Sequence, residues 1–538
     1  RSLLVTGVQT CALPISPFIL FIILCILIYL PPIQNFLVDK AAVYASEATG
    51  MNISVGRISL SFPLNLVVTN VDAASLHNDT LLSVRRLQVN VQLLPLLKKQ
   101  VEVDGISLQG ATVNSNDLIH GMKLNGTLGE LFISSHGVAL DPETAIVNKV
   151  LLKDTDLSLC LNDTAAADTA ASDTTYWKII LQDIDLQNVS FALDMPLDSL
   201  SLAASLDNAT LRDGLIDLHK SAYSLQTFRI KNGRVRYDSG RPSATASADS
   251  LSAGLDPSHI ALTDIGVKLD SLYYEGRNMK AIISQFVLKE RSGVEIVSTE
   301  GRLVSNDKVL RVPSLKLETR DSYLELNAAM DWDALDFKKE GLVSARLMAD
   351  IGKPDVVRFM GSMDEKFIRK YPSEPLRIRT GIDGDLNKLK LTTLTAELPG
   401  ALELFAKGEL TSLTDSLLRG GDITLQAETK DLKFISTLAE GIEIPYGTRL
   451  EGKFTMAGPK MGTDLLLMQP EAHAVAAADT IPITVYNDSI SVADDFKMER
   501  AARLFAKYDL SRDRYEADLA VNHFDLHQFM PADSLYTL

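Results

Sequence analysis

The stretch Val101-Glu-Val-Asp-Gly-Ile-Ser-Leu-Gln-Gly-Ala-Thr-Val113 decides the fold of this chain. Ile106 and Leu108 alternate with polar residues, Gly110 follows, and the alternation resumes one residue out of phase through Val113. Alternation with a period of two places apolar side chains on one face of a β-strand. A one-residue slip would turn the second half of the strand to the wrong face. We therefore predict a β-bulge at Gly110, where one extra residue restores the face.

The same motif recurs through the first half of the chain. Clear copies centre on Asn188, Asn232 and Asp264. Weaker copies centre on Asn70, Asp154 and Asn208. Gly, Asn and Asp are the residues that tolerate the unusual backbone of such a bend. The motif copies therefore predict long bent strands with one apolar side.

The intervals between motif centres are irregular, from 20 residues (Asn188 to Asn208) to 44 residues (Gly110 to Asp154). A solenoid with fixed rungs would give a constant interval, so we predict an antiparallel meander with loops of variable length. The low-complexity segment Asn162–Thr175 is predicted to be one such loop between strands.

The N-terminal region indicates a membrane anchor. Residues Val5–Ile15 read as the translation of a sequencing adapter, so residues 1–16 are set apart from the fold. Thirteen uncharged residues, Phe18–Leu30, then precede a Pro-Pro pair, whereas a membrane span needs about 20. We expect a transmembrane helix that has lost its first turns, with a secretory signal segment as the alternative. The residues predicted to lie in the membrane include Phe18, Ile22, Leu24, Ile28 and Leu30.

The domain division follows from these patterns. Residues 17–49 comprise the anchor and a following helix over Ile33–Thr49, and residues 50–276 comprise the bulged-strand repeats. Residues 277–538 are predicted to continue the sheet with short helical insertions. The clearest insertion is Lys353–Lys370, which has Pro near its start, where a missing N–H costs nothing. Its predicted apolar face consists of Val356, Phe359, Met360, Met363 and Phe367.

Composition bounds the function. The net charge of −16 argues against nucleic acid as a partner, and a hydrophobic fraction of 46% excludes a disordered chain. Three cysteines give neither a disulfide framework nor zinc-binding spacing. The sequence contains no His-Glu-x-x-His, no Gly-x-Ser-x-Gly and no phosphate-binding Gly-Lys-Ser/Thr motif. We therefore expect no enzymatic activity, no cofactor and no metal.

An anchor, a helix and a long one-sided sheet together resemble the AsmA-like family, and its TamB members most closely. The residues that carry the resemblance are the apolar run from Phe18, the segment Gly50–Val71 and the run Val101–Val113. The resemblance extends over residues 17 to 538, although the C-terminal domain typical of TamB does not occur in this sequence.

The resemblance implies a mostly β protein: a transmembrane helix followed by a long, curved antiparallel sheet, taco-like or tubular, whose apolar groove holds phospholipid acyl chains. It implies single-pass anchoring in the inner membrane, with the bulk of the chain in the periplasm. Such a protein conducts phospholipid toward the outer membrane. The expected partners are phospholipid, membrane and an outer-membrane barrel protein of the TamA/BamA type. The residues expected to line the groove are Ile106, Leu108, Val113, Ile184, Leu186, Val189, Phe191, Phe228, Ile230, Ile260, Leu262 and Ile265.

Two alternatives remain open at this point. A conventional sandwich would cover one apolar sheet face with another, instead of covering it with acyl chains. The family also suggests an assembly factor for outer-membrane or secreted proteins, in which a sheet edge templates the strands of a client.

Overall fold

A computed structural model describes residues 40, 42, 43, 46, 51–61, 65–75, 80–92, 103–115, 122–140, 143–162, 176–240, 254–336, 339, 341–360, 365–385, 387–413, 415, 417–437, 444–470, 484–486, 489–491 and 498–522. The chain forms two compact units. Unit 1 comprises Arg1–Ser243 and Ser258–Glu275, and unit 2 comprises Ala244–Pro257 and Gly276–Leu538. The described part is mostly β, as the alternating patterns predict.

The described strands of unit 1 all belong to one sheet. They are β1 (Asn52–Ser61), β2 (Asn65–Ala74), β3 (Thr80–Val91), β4 (Val103–Asn114), β5 (Met122–Leu140), β6 (Glu143–Leu161), β7 (Lys178–Met195), β8 (Leu200–Asp217), β9 (Ala222–Leu225), β10 (Thr227–Ser239) and β11 (His259–Glu275). Strands β1 to β8 pair in sequence order. Strands β9 and β10 both pair with β8 on one side and with β11 on the other.

The prediction of a purely antiparallel meander is wrong at one place, because β6 and β7 are parallel. A parallel pair requires a crossover connection of a dozen or more residues. The long, low-complexity segment between Leu161 and Lys178 has sufficient length for such a connection. The other pairings of unit 1 are antiparallel.

The predicted bends are present in six of the seven motif copies. The φ angle is positive at Asn70 (52°), Gly110 (62°), Asp154 (50°), Asn188 (51°), Asn232 (53°) and Asp264 (53°). Asn208 is the exception, since the left-handed residue of β8 is Asp213 (φ 51°).

The mechanism predicted for these bends is wrong for most of unit 1. At the bends, the register shifts as a bulge requires only between β10 and β11, beside Asn232 and Asp264. A bulge would shift the pairing by one residue, but Gln187 pairs with Asn208 and Val189 pairs with Leu206, in the same register on both sides of Asn188. The register is also unchanged across Asn70, Gly110 and Asp154. Neighbouring strands therefore change the phase of their alternation at the same level, and neither holds an extra residue against the other.

Unit 2 contains a second run of antiparallel strands. They are β12 (Asn278–Glu290), β13 (Glu295–Ser305), β14 (Val309–Thr319), β15 (Tyr323–Asp331), β16 (Val343–Ile351), β17 (Leu376–Gly384), β18 (Lys388–Leu398), β19 (Leu402–Thr411), β20 (Gly420–Thr429), β21 (Arg449–Ala457), β22 (Lys460–Pro470), β25 (Met498–Asp509) and β26 (Arg514–Val521). They pair in sequence order, and β22 pairs with β25. Strands β23 (Thr484–Tyr486) and β24 (Ser489–Ser491) form a separate two-stranded sheet. The helices are α1 (Lys353–Met360) and α2 (Glu365–Lys370), with 3-10 turns at Trp332–Leu335 and Ile435–Thr437.

A small apolar core in unit 2 packs α2 against strand ends. Its buried members are Phe367, Tyr371, Leu398, Ala401, Leu432 and Phe434. The ring of Phe434 meets those of Phe367 and Tyr371 edge-on, with centroids 5.6 Å and 5.2 Å away. Val356 of α1 packs against the same cluster.

The predicted single apolar face of Lys353–Lys370 is therefore only partly correct. Val356 and Phe367 contribute to the core, but Phe359 is 56% exposed and Met360 is 49% exposed; Met363 lies outside the described residues. Phe359 and Met360 are the last two residues of α1. The fully buried residue of this helix is instead Asp355. Its carboxylate accepts hydrogen bonds from the hydroxyls of Ser322 (2.6 Å) and Thr319 and from the guanidinium of Arg358 (2.9 Å).

The predicted span Phe18–Leu30 lies outside the described residues. In the helix predicted over Ile33–Thr49, the described residues Lys40, Ala42, Val43 and Ser46 are helical. Within the part of the chain that the structure describes, no helix combines the length and the apolar character needed to cross a bilayer.

The core of unit 2 gives a stability prediction. Replacing Phe367, which is 2% exposed, by Ala leaves a cavity and should lower the free energy of unfolding by about 3–5 kcal/mol. The matched control is Phe359→Ala, which should cost less than about 0.5 kcal/mol because that ring is exposed. Denaturant unfolding of the two variants tests this, and equal losses would contradict the assignment of Phe367 to the core.

Candidate functional site: a one-sided apolar face

Two ladders of apolar side chains cross the sheet of unit 1 at right angles to its strands. Ladder A has one residue in each of β1–β8, β10 and β11: Leu60, Leu66, Val89, Ile106, Ile133, Val150, Ile184, Leu211, Phe228 and Leu269. Ladder B lies two residues away in every strand: Ile58, Val68, Leu87, Leu108, Leu131, Leu152, Leu186, Ala209, Ile230 and Val267. Each member is the cross-strand partner of the next, and neither ladder contains a polar residue.

Further ladders lie beyond the level at which the strands change phase. Ladder C consists of Val55, Val71, Val84, Ala111, Leu128, Thr155, Val189, Leu206, Gly233 and Ile265. Ladder D consists of Ile53, Ala73, Leu82, Val113, Gly126, Leu157, Phe191, Ala204, Val235 and Leu262. Ladder E is shorter and consists of Leu124, Leu159, Leu193, Leu202, Tyr237 and Ile260.

Gly233 shows that the ladders on the two sides of this level share one face. A Cβ atom added to Gly233 of ladder C would lie 3.2 Å from the Cβ of Ile265 and 3.3 Å from the Cγ2 of Ile230. Ile230 belongs to ladder B, so the side chains of ladders B and C project from the same side of the sheet. We call this surface, formed by ladders A to E, the apolar face.

All twelve residues predicted to line a groove lie on these ladders. Ladder A holds Ile106, Ile184 and Phe228; ladder B holds Leu108, Leu186 and Ile230; ladder C holds Val189 and Ile265; ladder D holds Val113, Phe191 and Leu262; ladder E holds Ile260. The register brings the twelve onto one surface.

The predicted groove residues omit intervening ladder members such as Leu131 of β5 and Leu152 of β6, although Leu152 belongs to the recognised copy centred on Asp154. The alternation of β5 also changes phase, between Leu128 and Leu131. Its centre holds Gly129, a residue type that also marks the copy at Gly110. The motif itself could therefore have found this copy.

The apolar face keeps accessible surface. None of the twelve predicted residues is buried: Phe191 is 38% exposed and the others are half-buried. A sandwich core would bury such residues fully. In the described part of unit 1, every strand belongs to the same sheet, so no opposing sheet is described there to cover the face.

The opposite face of the sheet carries most of the charge. Arg212 of β8 forms ion pairs with Asp183 and with Asp185 of β7, the latter at 3.2 Å. At the end of β11, a hydrogen bond from the Tyr273 hydroxyl to Glu275 raises the pKa of that phenol. Two apolar residues, Phe132 and Leu151, also lie on this face as cross-strand partners.

The geometry suits an elongated apolar ligand better than a compact polar one. Strands in a sheet are about 4.8 Å apart, so ladders A and B run for about 45 Å over their ten strands. Within the residues that the structure describes, no three His, Cys, Asp or Glu side chains are grouped to hold a metal ion.

The comparisons with known proteins give no further guidance. No protein-family model matches the chain, and no curated protein matches its sequence.

The exposure of the apolar face can be tested with a dye that fluoresces on apolar surfaces. The folded chain should bind the dye, and Phe191→Asp should lower the fluorescence because a carboxylate then interrupts ladder D. Ser190→Asp is the matched control, since Ser190 lies on the opposite face of the same strand. Equal loss of fluorescence in the two variants would contradict the assignment of faces.

Proposed function

We propose that this chain is a membrane-anchored lipid conduit. In this proposal the segment Phe18–Leu30 holds the chain in the inner membrane of a Gram-negative cell, and the sheet lies in the periplasm. Phospholipid acyl chains move along the apolar face, which acts as a curved, taco-like or tubular groove leading toward the outer membrane and an outer-membrane barrel partner. No catalytic residue is required, since transport needs only a continuous apolar surface.

The observation that carries this proposal is the unbroken apolar character of ladders A and B. Every strand from β1 to β8, and β10 and β11, contributes an apolar residue to each ladder. An acyl chain that lies across the strands would meet no polar side chain along either ladder. Burying each CH₂ group is worth about 0.8 kcal/mol, so a long chain gains several kcal/mol from a half-covered position.

The test is lipid capture by a photocrosslinking amino acid placed at Leu108 in living cells. The parent chain should capture phospholipid. Ile106→Asp or Leu186→Asp should abolish both capture and phospholipid transport, because a bound acyl chain would cover the carboxylate and leave it without a partner, which is costly. Ser107→Asp is the control, because it adds the same charge on the opposite face of β4.

Two results would contradict the conduit. One is transport that persists unchanged in both ladder variants. The other is a Ser107→Asp variant that loses transport as fully as Ile106→Asp, which would indicate general damage to the sheet.

Strand β26 gives one observation in favour of the second candidate, an assembly factor that templates client strands. All eight residues of β26 are exposed, including Tyr515, Leu519 and Val521, which are 79%, 65% and 57% exposed. Exposed apolar strands can pair with another polypeptide. A photocrosslinker at Leu519 that captures polypeptide, while Leu108 captures no lipid, would favour the assembly factor over the conduit.

A further inference from the structure

The phase changes of unit 1 fall on one continuous line across the sheet. Between ladders B and C, β1 to β8 and β10 each have two residues where a simple alternation would have one. In β11 the two residues, Thr263 and Asp264, lie between ladders C and D. The line passes through Gly56, Asn70, Arg85, Gly110, Gly129, Asp154, Asn188, Asp207 and Asn232, which follow one another by register from β1 to β10. Asp264 of β11 lies at its end, where the register shifts locally beside Gly233. We call this row the reversal line.

Side chains on the reversal line hold neighbouring strands at the same level. The side-chain amide of Asn188 in β7 donates a hydrogen bond to the carboxylate of Asp154 in β6, at 2.9 Å. The amide of Asn232 in β10 donates one to the carboxylate of Asp207 in β8. Three of these four residues have a positive φ angle: Asp154, Asn188 and Asn232. The residues that change the phase of the strands therefore also join them.

Strand β8 contains a second change of phase. Asp213, with a φ of 51°, stands six residues beyond Asp207. A Cβ atom added to the next residue, Gly214, would lie 2.9 Å from the Cδ2 of Leu211 and 3.4 Å from the Cβ of Leu181. Leu211 belongs to ladder A, so this reversal also keeps apolar side chains on the apolar face.

We propose that the reversal line is the positioning element of the apolar face, and that Asn188 is a positioning residue within it. Asn188 acts on a bound acyl chain only through Leu186 and Val189, which it places on one surface. The link to lipid rests on the proposed function, whereas the placement itself does not. Because the line is shared, each strand must contribute its additional residue at the same level.

This requirement separates deletion of Asn188 from its substitution. Glycine tolerates a positive φ, so Asn188→Gly keeps the reversal. Deletion removes one residue from β7 only, while β6 and β8 keep theirs. Strand β7 can then pair correctly with its neighbours on one side of the line but not on both, since a one-residue slip turns every later side chain to the other face.

Disulfide formation between cross-strand partners reports the pairing directly. In a chain whose Cys11, Cys25 and Cys160 are replaced by Ser, one variant carries Ile184→Cys with Leu211→Cys, and another carries Phe191→Cys with Ala204→Cys. These two pairs lie on opposite sides of the line and are direct partners in the register. Directly opposed residues have the Cα separation that a disulfide needs. A third pair, Leu66→Cys with Val89→Cys, reports whether the sheet forms away from β7.

We expect both β7–β8 disulfides to form in the parent chain and with Asn188→Gly. Deletion of Asn188 should lower the yield of at least one of them about tenfold, while the Leu66/Val89 disulfide still forms. Loss of both β7–β8 disulfides in the deletion variant, with rescue by Asn188→Gly, supports the proposal equally. Efficient formation of both in the deletion variant overturns it, as does their failure to form with Asn188→Gly.

Lipid capture then separates this inference from the proposed function. A photocrosslinker at Val189 should capture phospholipid in the parent chain and with Asn188→Gly. Absence of lipid capture in the parent chain overturns the conduit, whatever the disulfides show. A deletion variant that loses a β7–β8 disulfide but captures lipid as the parent does would overturn the positioning role toward lipid and leave the conduit standing.

Discussion

The structure of unit 1 depends on one constraint: a β-strand alternates its side chains between two faces with a period of two. A strand that inserts one extra residue turns the rest of its side chains over, unless the backbone compensates. In unit 1, strands β1 to β8 and β10 each hold their additional residue at the same level as their neighbours. These residues therefore form one line across the sheet. The result is an apolar face that is continuous across strands as well as along each strand.

The apolar face is continuous in two directions and is nevertheless half-exposed at the residues predicted to line it. An apolar side chain gains about 25 cal/mol for each Å² removed from water, so a large uncovered face is a cost unless something occupies it. The polar side of the sheet gives little compensation, because exposed pairs such as Arg212 with Asp185 contribute little stability. In unit 2, by contrast, the apolar side chains of Phe367 and Ala401 are fully buried where helices and strand ends meet.

The sequence predicted the bends well and the pairing poorly, for a physical reason. A left-handed residue leaves a local signature, and Asn70, Gly110, Asp154, Asn188, Asn232 and Asp264 could be found because turn-forming residues stand at the change of phase. Asn208 has the same pattern without a positive φ angle. The residue of β8 on the reversal line is Asp207, which lies by register between Asn188 of β7 and Asn232 of β10. Register is a relation between strands, so neither the shared line nor the parallel β6–β7 pair could be seen in any single strand. The predicted face of α1 failed at Phe359, which lies in the last turn of the helix, whereas the polar Asp355 is buried through its hydrogen bonds to Ser322 and Arg358.

In unit 2, a change of phase within a strand is corrected by a β-bulge, the mechanism that the sequence pattern predicted for unit 1. In β14, Leu310 and Val312 are followed by Leu315 and Leu317, so the phase changes, whereas β15 alternates without interruption. The register accordingly shifts by one residue between Val312 and Leu315, at Pro313, a residue whose missing N–H suits a bulge. Strand β18 does the same between Leu391 and Leu394 against β19. A bulge confines the correction to one strand, so the next strand is free to alternate. A shared line forces every further strand to repeat it, which is why the motif recurs through unit 1 and could be recognised there as a repeat.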